Sequence, residues 1–144
     1  MCTQHKKDKD GKEDMSYMPK SKSDVHETPD IVFQFIKEHW GYSKEEMFDP
    51  CPVDPTFDGL DTYWTGLNFV NPPYSLLKEF VIKAFNERDL YHNVSIMLLP
   101  AKTDQEWFHN ILERRSEIKW IRKRLKFKGA KWSATQPHFL VKIE

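Results

Sequence analysis

The chain has 144 residues, zero formal net charge and 39% hydrophobic residues, which suits one domain with one core. No apolar run reaches the length of a membrane span or a signal peptide, so membrane association is not expected. Two cysteines, Cys2 and Cys51, are too few for a disulfide framework and fit a reducing, intracellular and cytoplasmic setting; the six histidines lack ligand spacing, so no metal is expected.

Residues 1–23 hold no Leu, Ile, Val, Phe or Trp and are rich in Lys and Asp. Such a segment cannot bury enough surface to offset its ordering entropy, so it reads as a disordered tail ahead of a folded domain at 24–144. Thr28-Pro29 predicts a helix start, with Thr28 as N-cap and Pro29 at the first helical position. Ile31, Val32, Phe35, Ile36 and Trp40 follow at helical spacing, and Gly41 closes the helix. Residues 47–52 predict a short buried strand stopped by Pro50 and Pro52. Residues 53–66, with Asp54, Pro55, Asp58, Gly59 and Asp61, form a turn-rich acidic loop.

An apolar strand at 67–70 then breaks at Asn71-Pro72-Pro73-Tyr74. Ser75 is placed to cap a helix burying Leu76, Leu77, Phe80, Val81, Ala84 and Phe85. Residues 94–99 are the most strand-like run. Thr103 with Glu106 predicts a capping box for a helix carrying Trp107, Phe108, Ile111 and Leu112. Residues 118–121, 125–127 and 138–143 read as three short strands. The order predicts an α/β fold with a mainly parallel sheet, helices on both faces and an antiparallel end.

The Asn-Pro-Pro-Tyr turn carries the chemistry. Two prolines fix two φ angles and remove two backbone donors, making a stiff loop where the chain leaves a strand. That is where ligands bind in open α/β sheets. The Asn71 side-chain oxygen and the Pro72 carbonyl can each accept one hydrogen of an NH2 group. Tyr74 can stack on the attached ring, worth about 1–3 kcal/mol for a nucleobase. Accepting both hydrogens leaves the nitrogen lone pair available for attack.

Charge is segregated along the chain. Residues 24–61 carry ten acids and two bases, while residues 114–131 carry nine bases and one acid. The basic stretch can pair with the acidic one or follow a phosphate backbone. Arg122, Lys123, Arg124, Lys126 and Lys128 interleave with Leu125 and Phe127, so a strand there would bury one face and show charge on the other. These five are the candidate nucleic-acid contacts, of the kind that position a phosphate backbone without reading its sequence.

Taken together, the motifs resemble the small phage-type DNA N6-adenine methyltransferases. They run in order from Thr28-Pro29 through Asp49-Pro50-Cys51, Asp58-Gly59-Leu60 and Trp64 to Phe69-Val70-Asn71-Pro72-Pro73-Tyr74-Ser75. Leu98-Leu99-Pro100-Ala101-Lys102-Thr103-Asp104, Trp107-Phe108 and Arg124-Leu125-Lys126-Phe127 complete them. Lys123 stands where the family usually has glycine, and Pro50-Cys51-Pro52 replaces the usual glycine-rich loop.

The resemblance implies a compact Rossmann-like fold, S-adenosyl-L-methionine as cofactor, DNA as partner and, for a virus, the host cytoplasm. Asn71, Pro72, Pro73 and Tyr74 would be catalytic, gripping an adenine flipped out of its duplex. Thr28, Pro29, Asp49, Pro50, Cys51 and Asp58 would line the cofactor site, with Asp49 facing the amino end of the methionine moiety. RNA or a glutamine side-chain amide is an alternative acceptor. The reading from another class is a non-catalytic nucleic-acid-binding protein that kept the fold and lost the cofactor.

Overall fold

Alternating side chains on four short strands give this domain two cores, one on each face of a single sheet. The computed structural model describes residues 26–114 and 116–144; the proposed tail at 1–23 lies outside the described residues. Its strands are β1 (Leu67–Val70), β2 (Val94–Pro100), β3 (Glu117–Trp120) and β4 (His138–Ile143), in the order β1-β2-β4-β3. Its helices are α1 (Asp30–Trp40), α2 (Leu77–Tyr91) and α3 (Glu106–Glu113). Phe69, Ile96, Leu98 and Leu140 pack with Val32 and Ile36 of α1. Val70, Met97, Leu99, Phe139 and Val141 face the other way, onto α2 and α3. A period of two thus feeds both cores, which is why β1, β2 and β4 read as largely apolar runs without a polar face.

The fold is mixed α/β, with helices on both faces as expected. The sheet is not mainly parallel: β1 pairs parallel with β2, whereas β4 pairs antiparallel with both β2 and β3. The reason is that β4 returns between two strands already running the same way. The expected strand at 47–52 is reduced to one parallel bridge, Phe48 to Asn68, because Pro50 and Pro52 remove donors immediately afterwards. Residues 125–127 form no strand. Their alternation survives, however, with Leu125 and Phe127 buried and Arg124 and Lys126 exposed.

The caps also differ from expectation. Thr28 makes no cap on α1, although Gly41 closes that helix at φ 78° as predicted. Ser75 lies inside a 3-10 turn, Tyr74–Leu76, which delays α2 to Leu77. No side chain caps α3, so the Thr103–Glu106 box is not formed. Cys51 is buried and is not a free thiol, at odds with two reduced cysteines; Cys2 lies outside the described residues.

The long loop before β1 is held by Trp64. Its indole N–H donates to the Gly59 carbonyl at 2.8 Å, its ring stacks near Phe80, and its backbone N–H donates to the buried Glu87 carboxylate at 3.2 Å. This ties the loop to α2 and so fixes the approach to β1. Trp64→Ala is expected to destabilise the domain by about 3–5 kcal/mol, the usual range for deleting a buried aromatic. Chemical denaturation would read this; a loss under 1 kcal/mol would mean the loop is anchored elsewhere.

Candidate active site

Pairing direction gathers the chemistry at one edge of the sheet. Phe48 lies parallel beside β1, so Asp49 and Asn71 leave neighbouring segments at their carboxyl ends. Lys102 follows the end of β2. His138 opens β4 directly opposite Pro100, and the basic residues follow the end of β3 at the same edge. Open α/β sheets bind ligands at this position.

Asn71 is clamped through its nitrogen. Its Nδ2 donates to the His26 carbonyl at 2.7 Å and to Thr28 Oγ1 at 3.0 Å. A carbonyl oxygen can only accept, so the amide has one orientation and Oδ1 is its accepting end. Thr28, nearly buried, uses its hydroxyl here rather than as a helix cap. Pro72 and Pro73 are buried, and Pro73 is extended at φ −64°, ψ 147°.

Asn71, Thr28, Asp49 and Cys51 share the wall of one cavity of about 190 Å³, with His26 and Phe33. The backbone N–H of Cys51 donates to Asp49 Oδ1 at 2.8 Å. The surrounding protein removes water from the Asp49 carboxyl and pushes it up to about 6, against the opposing pull of Cys51 N–H and Lys44. Asp49 is nevertheless exposed by surface area, so solvent screens part of this effect. A partly desolvated carboxylate on a cavity wall is a good receptor for a cationic ligand.

Tyr74 looks into a second cavity, of about 330 Å³, shared with Lys102, Gln105 and Trp107. Its hydroxyl bonds to His138 Nε2 at 2.9 Å, and His138 Nδ1 bonds to the Gln136 carbonyl at 3.2 Å. The carbonyl requires the proton on Nδ1, so Nε2 accepts and the tyrosine donates. Burial supports the same assignment from both sides. It pushes the His138 imidazolium down to about 4 and the Tyr74 phenol up to about 12. His26 packs against the Tyr74 ring at 5.1 Å.

Neither histidine was singled out from sequence. The available signal for His138 is its position opening a mostly buried strand, where a polar group must find a partner. His26 acts partly through its backbone carbonyl, which no residue identity announces.

The remaining candidates are placed as follows. Pro29 sits at the N-cap of α1 and Pro50 is buried; neither lines the Asp49 cavity. Asp58 also stays outside that cavity and makes a turn, accepting from the Leu60 N–H at 2.9 Å. Arg122, Lys123, Arg124 and Lys126 are exposed. Lys128 is engaged internally, 2.8 Å from Asp30 and 3.5 Å from Glu27. Those carboxylates hold its ammonium above the ordinary lysine range, Asp30 foremost.

A family model described as DNA N-6-adenine-methyltransferase (Dam) matches residues 15–138. The chain belongs to this family. Two phage proteins named DNA N-6-adenine-methyltransferase are similar to it. The Haemophilus phage HP1 protein is 26% identical over 113 residues, 71% of this chain and 64% of its own length. The Escherichia phage T1 protein is 42% identical over 62 residues, 40% of this chain and 25% of its own length. The chain therefore spans less than two thirds of either relative. No solved structure matches.

The Dam match takes in Asp49, the Asn-Pro-Pro-Tyr turn and the basic segment, and ends at His138. Among the described residues of this Dam-family chain, no helix is long and apolar enough to cross a membrane. No group of three or more His, Cys, Asp or Glu among them could hold a metal ion.

The buried His138 makes stability depend on pH. With its native value near 4 and an unfolded value near 6.5, the unfolded state binds the extra proton between those limits. Stability from this group is therefore complete above pH 6.5 and lost as pH falls toward 4. Relative to His138→Gln, the wild type is expected to lose up to about 3 kcal/mol over that window, from the linkage slope. Paired melting curves from pH 7 to 4 would show it; a constant difference would mean the imidazole titrates normally.

Proposed function

We propose that this chain transfers a methyl group from S-adenosylmethionine to the N6 amino group of adenine in DNA, on a Rossmann-like fold. The observation that carries this reading is the clamp on Asn71. Holding both N–H groups aims Oδ1 outward as an acceptor for one hydrogen of an incoming amino group. That contact leaves the substrate nitrogen's lone pair free to attack. Tyr74, tied to His138 through its hydroxyl, offers a fixed ring for the base to stack on. A duplex adenine must leave its stack to reach this edge. Positioning of this kind supplies much of the rate when the leaving group is good.

The donor set of the Asp49 cavity suits part of the cofactor. Asp49 would hold the cationic amino end of its methionine moiety, with Thr28 and Cys51 beside it. When bound, S-adenosylmethionine supplies an electrophilic methyl on a positively charged sulfur. The cavity of about 190 Å³ is below the usual 300–1,000 Å³ of small-molecule sites. That observation favours the competing reading, a nucleic-acid-binding protein without catalysis.

Titration with S-adenosylmethionine separates the two. Cofactor at 100 times its dissociation constant should add about 2.7 kcal/mol of stability by mass action; unchanged melting at millimolar cofactor would favour the binding protein. Asn71→Ala is expected to abolish labelled-methyl transfer to DNA while cofactor affinity stays nearly intact. Equal loss of both would misplace the turn.

Cofactor affinity should fall with pH as well. Asp49 must be ionised to hold a cation, so binding is expected to weaken as pH drops from 6 toward 4. Calorimetric titration across that range would test this, with Asp49→Asn binding weakly at every pH. A wild-type affinity that is flat with pH would remove Asp49 from the contact.

A further inference from the structure

Beyond the two cavities at the Asn-Pro-Pro-Tyr turn lies a third, of about 320 Å³, between α1 and the segment after β3. Its walls are apolar: Ile31, Val32 and Phe35 from α1, with Ile121 and Leu125 opposite. Its rim is cationic, formed by Arg122, Lys123, Arg124 and Lys126. Ile31 stands at the mouth, 60% exposed. An apolar hole ringed by cations matches a ligand with a flat apolar body and an anionic link beside it.

Two further observations set this rim apart from an ordinary solvated surface. None of its four cations forms an ion pair among the described residues, whereas nearby Lys128 has two carboxylate partners. Lys123 also sits at φ 64°, a left-handed conformation uncommon for residues with a side chain. Residues held in such regions cluster at ligand clamps and similar sites. The place is close to the active site too. Ile31 lies three residues after Thr28, which holds Asn71, and Phe127 packs on His26 at 5.0 Å.

We propose that this cavity takes an unpaired nucleobase of the nucleic-acid substrate, separate from the acceptor adenine, with that nucleotide's phosphates on the Arg122–Lys126 rim. The inference rests on the nucleic-acid reading above and adds a second nucleotide site to it. Cations alone would grip any polyanion; the apolar walls would make the grip depend on a base being present. Such a site would give a chain of this size a second point of contact with its substrate.

The test uses Tyr74→Ala as background, so that stacking at the acceptor site contributes little. Affinities are measured for a single-stranded oligodeoxynucleotide and for an abasic strand of equal length and charge. The strand with bases should bind at least tenfold more tightly. Ile31→Asn, a neutral change at an exposed position, should erase that preference while leaving abasic-strand affinity unchanged. Arg124→Ala should weaken both strands and lower the salt dependence.

A preference for bases that survives Ile31→Asn, or no preference at all, would overturn the base site while leaving DNA binding intact. Failure of both strands to bind, with Arg124→Ala without effect, would instead remove the nucleic-acid reading on which the site rests. Melting curves of each variant confirm that the fold is retained.

Discussion

The site depends on one short parallel contact. Phe48 N–H donates to the Leu67 carbonyl at 3.0 Å, and Phe69 N–H donates to the Phe48 carbonyl at 2.8 Å. Those two bonds place the chain leaving Phe48 beside the chain leaving β1. Asp49 and Asn71 then open onto one cavity although more than twenty residues separate them. The intervening loop is fastened further by its turn at Asp58, the Trp64 anchor and the Glu87 carboxylate. A slip of one residue in the bridge would turn Asp49 to the opposite face.

The stiff turn serves two cavities at once. Asn71 belongs to the Asp49 cavity and Tyr74 to the one beneath α3. Buried Pro72 and Pro73 set the spacing between them, and each side chain is then held by a hydrogen bond at its far end. The supports are His26 and Thr28 for the amide, and His138 for the phenol. Groups locked by such supporting contacts need little reorganisation when a ligand arrives. The span matched by the Dam family, residues 15–138, contains this turn and both sets of supports.

Charge follows a similar division. The acidic and basic stretches meet at Lys128, whose pairing with Asp30 and Glu27 pins the basic segment to the start of α1. The four cations before it remain on the surface. Internal pairing and an exposed basic face are thus both realised, at different residues of one segment. Neutral overall charge hides both.

Much of the fold was legible beforehand. Apolar spacing gave the three helices and the strands β1, β2 and β4, because burial on a fixed period leaves its mark in residue order. The Asn-Pro-Pro-Tyr turn was legible for the same reason: proline constrains its own backbone wherever it stands. Gly41 closes α1 as its sequence predicts, whereas Thr28 could bond either its own helix or a distant amide, and the distant amide took it. The parallel β1–β2 pair and the antiparallel end are as expected, but antiparallel pairing dominates, because pairing partners are chosen across the fold, not along the chain. His26 and His138 acquire roles only through what is packed beside them. The sequence by itself determined which segments are buried and where the chain is stiff. Only tertiary structure decided which polar groups meet, because a hydrogen bond between distant residues exists only once the sheet has brought them within 3 Å.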